Sequence, residues 1–183
     1  MIQNGRWSKA RQTPSPNHNE RPPGAVPTLI VIHNISLPPE EFGGGFVEDF
    51  FLNRLDRDAH PYFATIADLC VSSHCFIDRL GRVTQFVPFH LRAWHAGRSC
   101  FNGETECNDF SIGIELEGAD TIPYTDAQYS ILVELTEALM HMYPGISTDR
   151  IAGHSDIAPG RKTDPGLAFD WHRYLNELKT KAQ

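Results

Sequence analysis

The chain has 183 residues, 16 Lys plus Arg against 23 Asp plus Glu, and a formal net charge of −7. With 40% hydrophobic and 21% charged residues it has globular composition, which excludes a disordered, collagen-like or coiled-coil chain. The length suits one domain around one core, and the acidic balance argues against a general nucleic-acid binder, which concentrates Lys and Arg to displace phosphate counterions.

Residues 1–27 read as an N-terminal segment ahead of a domain spanning 28–178. Pro14, Pro16, Pro22, Pro23 and Pro27 cannot sustain a helix, so this segment is expected to lie extended along the surface. The first residues build no apolar stretch of the kind a secretory signal needs. No run approaches the roughly 18 apolar residues of a membrane span. A cytoplasmic protein is therefore expected. Its cysteines, Cys70, Cys75, Cys100 and Cys107, fit no CxxC spacing and read as reduced thiols.

Thr28-Leu29-Ile30-Val31-Ile32-His33 is a β-branched run without alternation, the pattern of a strand buried on both faces, with His33 at its end. After a loop holding Gly43, Gly44 and Gly45, residues 46–55 show helical spacing. A second loop runs through His60, Pro61 and Tyr62, and these two loops are the candidates for a mobile rim. Residues 72–87 predict a hairpin turning at Asp78-Arg79-Leu80-Gly81. Residues 111–118 alternate strictly, which predicts a half-buried strand with Ile112, Ile114 and Leu116 inward and Glu115 with Glu117 on a hydrophilic face. Thr125 to Gln128 is a capping box opening a helix with an apolar stripe at Leu132, Leu135, Leu139 and Met142. A last helix is expected from about Asp170. The mixture predicts a single α/β domain of α+β type, one central mixed sheet packed by helices.

Nine histidines stand out in this composition. A catalytic zinc needs three His or carboxylate ligands and one open position. His33, His154 and Asp164 meet that demand if the fold joins them, although no local motif such as HExxH guarantees it, and His74 and His95 are rival ligands.

Five segments carry a resemblance: Val-Ile-His-Asn at 31–34, Ser-Ser-His-Cys-Phe-Ile-Asp at 72–78, Arg-Ala-Trp-His-Ala-Gly at 92–97, Asn-Asp-Phe-Ser-Ile-Gly-Ile-Glu-Leu-Glu-Gly at 108–118, and Gly-His-Ser-Asp-Ile-Ala-Pro-Gly-Arg-Lys-Thr-Asp-Pro-Gly at 153–166. Together they resemble the zinc N-acetylmuramoyl-L-alanine amidases, a family that includes phage lysozymes of this type and the peptidoglycan recognition proteins. The cytoplasmic branch acting on anhydromuropeptides is the most similar. The resemblance implies the amidase-like fold, one zinc ion on His33, His154 and Asp164, Glu115 as catalytic carboxylate, Lys162 as the cation beside the scissile carbonyl, and Tyr62 as a catalytic-pocket residue. It further implies substrate contacts from Asn34, His95 and Arg161. Trp94 is either core or a sugar platform. Some relatives in that branch carry a basic residue where this chain has Glu106.

The implied activity is hydrolysis of the lactyl-L-alanine amide of 1,6-anhydro-N-acetylmuramyl peptides in peptidoglycan recycling, with a link to control of β-lactamase induction. A small muropeptide is the expected partner; nucleic acid, membrane and protein partners are not expected. The alternatives are a recognition module that binds without cutting, and a lytic amidase acting on intact wall.

Overall fold

The computed structural model describes residues 1–181. Four short strands, β1 (Ile2–Gln3), β2 (Arg6–Trp7), β3 (Arg11–Gln12) and β4 (His18–Asn19), precede the long strand β5 (Leu29–Ile35). Helices α1 (Phe46–Phe51) and α2 (Phe63–Ile66) lead to the hairpin β6 (Cys75–Ile77) and β7 (Val83–Gln85). Then come β8 (Arg92–Ala93), β9 (Cys100–Phe101), β10 (Glu104–Thr105), β11 (Ser111–Glu117), α3 (Asp126–Met142), β12 (Ile151–Gly153), α4 (His154–Ile157) and α5 (Trp171–Lys181).

The expected mixed sheet is present, with six strands in the order β12-β5-β11-β6-β7-β3. β5 runs parallel to β11 and β12, β11 runs parallel to β6, and β6 pairs antiparallel with β7. The parallel register sets Glu115 beside His33 and Gly113 beside Val31. Residues side by side in a ladder share a face, so His33 and Glu115 emerge together on the same side of the sheet.

On the other side, Ile30, Ile32, Ile112, Ile114 and Leu116 pack with Leu132, Leu135 and Leu139 of α3 and Tyr174 and Leu178 of α5. Each such buried side chain contributes about 1.5–3 kcal/mol. Thr125 caps α3 as its sequence predicts, its Oγ1 accepting from the Gln128 amide at 3.2 Å while Gln128 Oε1 accepts from the Thr125 amide at 3.1 Å. Met142, expected on the apolar stripe, is 45% exposed at the helix end.

Three expectations give way to the structure. β11 is not half-buried: all seven residues are buried, because parallel strands flank it and protein covers both faces. Glu117, read as a solvated side chain, is buried and accepts from the backbone amides of Gly43 and Arg79. The N-terminal segment does not simply lie along the surface. β1 and β2 form a hairpin that drives Trp7 into the core, β3 extends the main sheet beside β7, and Arg21 is buried with its guanidinium donating to the carbonyls of Phe89, Asn108, Asp109 and Ser111.

Candidate active site

Three elements bring the cluster together. β5 carries His33 at its C-terminal end, α4 opens with His154, and the turn after α4 carries Asp164. The Ser155 amide donates to the Asp164 carbonyl at 2.9 Å, which binds the two later segments to each other. The segment holding Lys162 and Asp164 is not extended: Arg161 and Lys162 both donate their amides to the Ala158 carbonyl at 3.1 Å in a turn, which separates Lys162 from Asp164 in direction. Both side chains nevertheless border the same cavity, of about 580 Å3, together with His33, Glu115 and His154.

His33 Nδ1 lies 2.9 Å from His154 Nδ1, and Asp164 Oδ2 lies 3.1 and 3.0 Å from these two nitrogens. Burial pushes the His33 imidazole down to about 4, so it is neutral at neutral pH. Burial pushes the Asp164 carboxyl up, but its close contacts with His154 and His33 outweigh this and hold it below the usual carboxylate range. His154 Nε2 faces the Ala96 carbonyl at 3.2 Å, an acceptor that places the proton on Nε2 and leaves Nδ1 with its lone pair. Two ring nitrogens and a carboxylate oxygen thus converge on one point in the deprotonated forms that ligation requires. This donor set, with a cavity on its open side, fits a catalytic zinc held by three protein ligands.

Glu115 stands beside the triad, its Oε1 4.0 Å from His33 Nδ1. Its Oε2 is buried without a hydrogen-bond partner. Burial, reinforced by the Asp164 charge and opposed by Lys162, holds its carboxyl well above the usual range. A raised carboxyl in a cleft is suited to accepting and returning a proton.

The remaining expected residues separate. Arg161 lines the cavity, with Nη2 tethered to the carbonyls of Ala96 and Arg98 at 2.6 and 2.7 Å. Asn34 also lines it, and its amide donates to Asp120 Oδ1 at 2.8 Å and to the Pro165 carbonyl at 3.1 Å, so it steadies the ligand turn. Tyr62 is 40% exposed in the outer wall. Trp94 borders the cavity and donates from Nε1 to Asn19. His74 is structural: Nδ1 accepts from the Gly113 amide and Nε2 meets the Leu91 carbonyl. His95 also borders the cavity, while both its ring nitrogens meet His33 and Ser111 inside the protein. Gly43, Gly44 and Gly45 border a different cavity, so they do not form a rim of this one.

Sequence reasoning missed Asn108 and Ser111, although both stand inside the 108–118 motif. Asn108 Oδ1 accepts from the amides of His95 and Ala96, and Ser111 contacts His95. Arg21, beside Pro22 and Pro23, gives no sign in the sequence of its burial.

A family model described as N-acetylmuramoyl-L-alanine amidase matches residues 23–167. The 1,6-anhydro-N-acetylmuramyl-L-alanine amidase AmpD of Enterobacter cloacae is 57% identical over 182 residues, covering 100% of this chain and 97% of the relative. A crystal structure of an AmpD derivative superposes with a TM-score of 0.94 at 53% identity, covering 97% of this chain and 98% of that one. AmiD from E. coli, in complex with the substrate anhydro-N-acetylmuramic acid-L-Ala-D-gamma-Glu-L-Lys, gives a TM-score of 0.61 at 31% identity over 87% of this chain and 61% of AmiD.

Proposed function

The chain belongs to the N-acetylmuramoyl-L-alanine amidase family, and on that premise we propose that it is a zinc enzyme cleaving the amide between the lactyl group of a 1,6-anhydromuramic acid and the L-alanine of its stem peptide. The observation that carries this reading is the convergence of His33 Nδ1, His154 Nδ1 and Asp164 Oδ2 beside an unpartnered oxygen of Glu115. A module that only binds muropeptides has no need of that constellation. The anhydro preference is supported by relatives matched over 97–100% of the chain that are 1,6-anhydro-N-acetylmuramyl-L-alanine amidases. The four free cysteines suit the reducing cytoplasm in which we place the reaction.

His33, His154 and Asp164 hold the zinc, which when bound supplies Lewis acidity towards a carbonyl and acidifies water. Glu115 takes the proton of the attacking water at Oε2 and returns it to the departing amine, so the leaving group exits as a neutral amine. A general acid–base group of this kind is worth about 10²–10⁴-fold. Lys162, at the cavity wall, balances the negative charge that grows on the scissile carbonyl oxygen, and Tyr62 closes the outer wall against it. Arg161 offers its guanidinium to a stem-peptide carboxylate, for which that fork is geometrically suited, while Asn34 steadies the turn that presents Asp164.

The test is product analysis by mass spectrometry with anhydromuramyl tripeptide and, in parallel, intact sacculi. Release of the free tripeptide from the soluble substrate, stopped by a chelator and restored by zinc, is the expected result. Faster release from sacculi would turn the reading towards a lytic amidase, and binding without cleavage towards a recognition module.

A further inference from the structure

We propose that His95 is a positioning residue for the metal centre: with Ser111 and the Cys107 carbonyl it forms a hydrogen-bond chain of fixed polarity that keeps the proton of His33 on Nε2 and presents Nδ1 to the metal. The inference rests on the metal-centre reading above and assigns the atoms behind it.

Three contacts in series define the chain. His33 Nε2 lies 2.9 Å from His95 Nδ1, His95 Nε2 lies 3.1 Å from Ser111 Oγ, and Ser111 Oγ lies 2.5 Å from the Cys107 carbonyl oxygen. The last contact sets the direction. A carbonyl oxygen can only accept, so the single hydroxyl proton of Ser111 must lie between the two oxygens. Ser111 Oγ then has only lone pairs to offer His95, which must donate from Nε2. A neutral imidazole that donates at one nitrogen accepts at the other, so His95 Nδ1 accepts, and the proton between the two rings belongs to His33 Nε2. The opposite polarity turns the Ser111 proton towards His95 and leaves two acceptor oxygens facing each other 2.5 Å apart in a buried site. Leaving such buried groups unpaired is costly.

The backbone is shaped to hold His95 in this place. Its amide and that of Ala96 donate to the same Asn108 Oδ1 at 3.1 and 2.8 Å. The ring lies over Gly113, where a Cβ would come 2.4 Å from His95 Cγ. Any other residue at 113 pushes the ring off, so the glycine in the middle of a buried strand is explained by the histidine above it. Ala96 then serves a second ligand, since its carbonyl fixes the tautomer of His154. One loop, residues 95–96, therefore sets the ring orientation of both ligating histidines.

Long-range 1H–15N spectra of the full chain labelled at histidine, taken metal-free and after one equivalent of zinc, read the tautomers directly. The expected result is the Nε2–H form for His95 in both states and for His33 once zinc is added. Zinc affinity by chelator competition supplies the second readout. Outer-shell partners of ligating histidines are typically worth 10–100-fold in metal affinity, so His95→Leu is expected to fall in that range and Ser111→Ala to weaken binding about tenfold. His95→Asn, whose amide oxygen stands where Nδ1 stood, is expected to recover part of the loss. A His95 proton found on Nδ1, or wild-type zinc affinity in both His95→Leu and Ser111→Ala, overturns the proposal. Should the variants fail to fold, the wild-type spectrum decides alone. A wild-type chain that takes up no zinc breaks the metal-centre reading instead, and the metal-free spectrum still decides the polarity of the chain.

Discussion

On the side of the sheet that meets α3 and α5, β5 and β11 present Ile30, Ile32, Ile112, Ile114 and Leu116, all packed against leucines and aromatic rings. On the other side the same two strands present His33, Ser111, Glu115 and Glu117, each buried. Both faces exclude water, yet they do so for opposite ends. The apolar face gains free energy with every side chain it covers. The polar face must satisfy or neutralise each group it covers, and an unpartnered one is costly. At Glu115 that cost is retained, with Oε2 left without a partner and the carboxyl raised by burial. Stability and chemistry are thus divided between alternate residues of one strand.

Asp164→Ala strikes the polar face hardest. It is expected to reduce turnover to that of the chelated wild type and to lower bound zinc, measured by metal analysis, well under one per chain; full zinc content in an inactive variant would remove Asp164 from the ligand set. Glu115→Gln is expected to cost about 10²–10⁴-fold in kcat with zinc content unchanged, and near-normal turnover would assign the proton transfer elsewhere. Ile114→Ala, one residue away, tests the other face. Urea titration should show a loss of about 2–5 kcal/mol while activity per folded molecule stays near wild type, and a collapse in specific activity would mean that the two faces are not independent.

The smallest effect concerns pH. Burial holds His33, at about 4, and His74 and His95 below the ordinary imidazole value of 6.5, so below pH 6.5 the unfolded chain binds more protons than the native one. The contribution of these three histidines to the stability of the metal-free protein is therefore fully present above that pH and lost as the pH falls, by about 1.4 kcal/mol per pH unit for each histidine. His74→Gln is expected to remove one such increment from the slope of stability against pH between about pH 6 and pH 5. An unchanged slope would show that His74 protonates freely in the native state.

How much of this was legible beforehand follows the same division. β5, the β6–β7 hairpin and the capped start of α3 are local patterns, and a period or a capping box suffices to read them. The polar face is not local. His33 and His154 are 121 positions apart, and only the resemblance joined them to Asp164. Alternation in β11 reported its two faces correctly but suggested water on one of them, because a pattern of polar residues does not say whether solvent or a buried site lies opposite. For His95, a place beside the cavity is visible in a motif, whereas the direction of its ring nitrogens depends on Asn108 and Gly113.

The position of the three proposed ligands along the chain also orders events during synthesis. His33 emerges from the ribosome early, but its partners His154 and Asp164 come only after β11 and α3 have been made. β5 likewise waits for β11 and β12 as its two neighbours, so the sheet centre closes by long-range pairing, which is intrinsically slow. A nascent chain shorter than Asp164 has no complete zinc pocket to offer. Metal uptake at the proposed site therefore requires synthesis through Asp164, and a chain terminated before that residue lacks one of the proposed ligands.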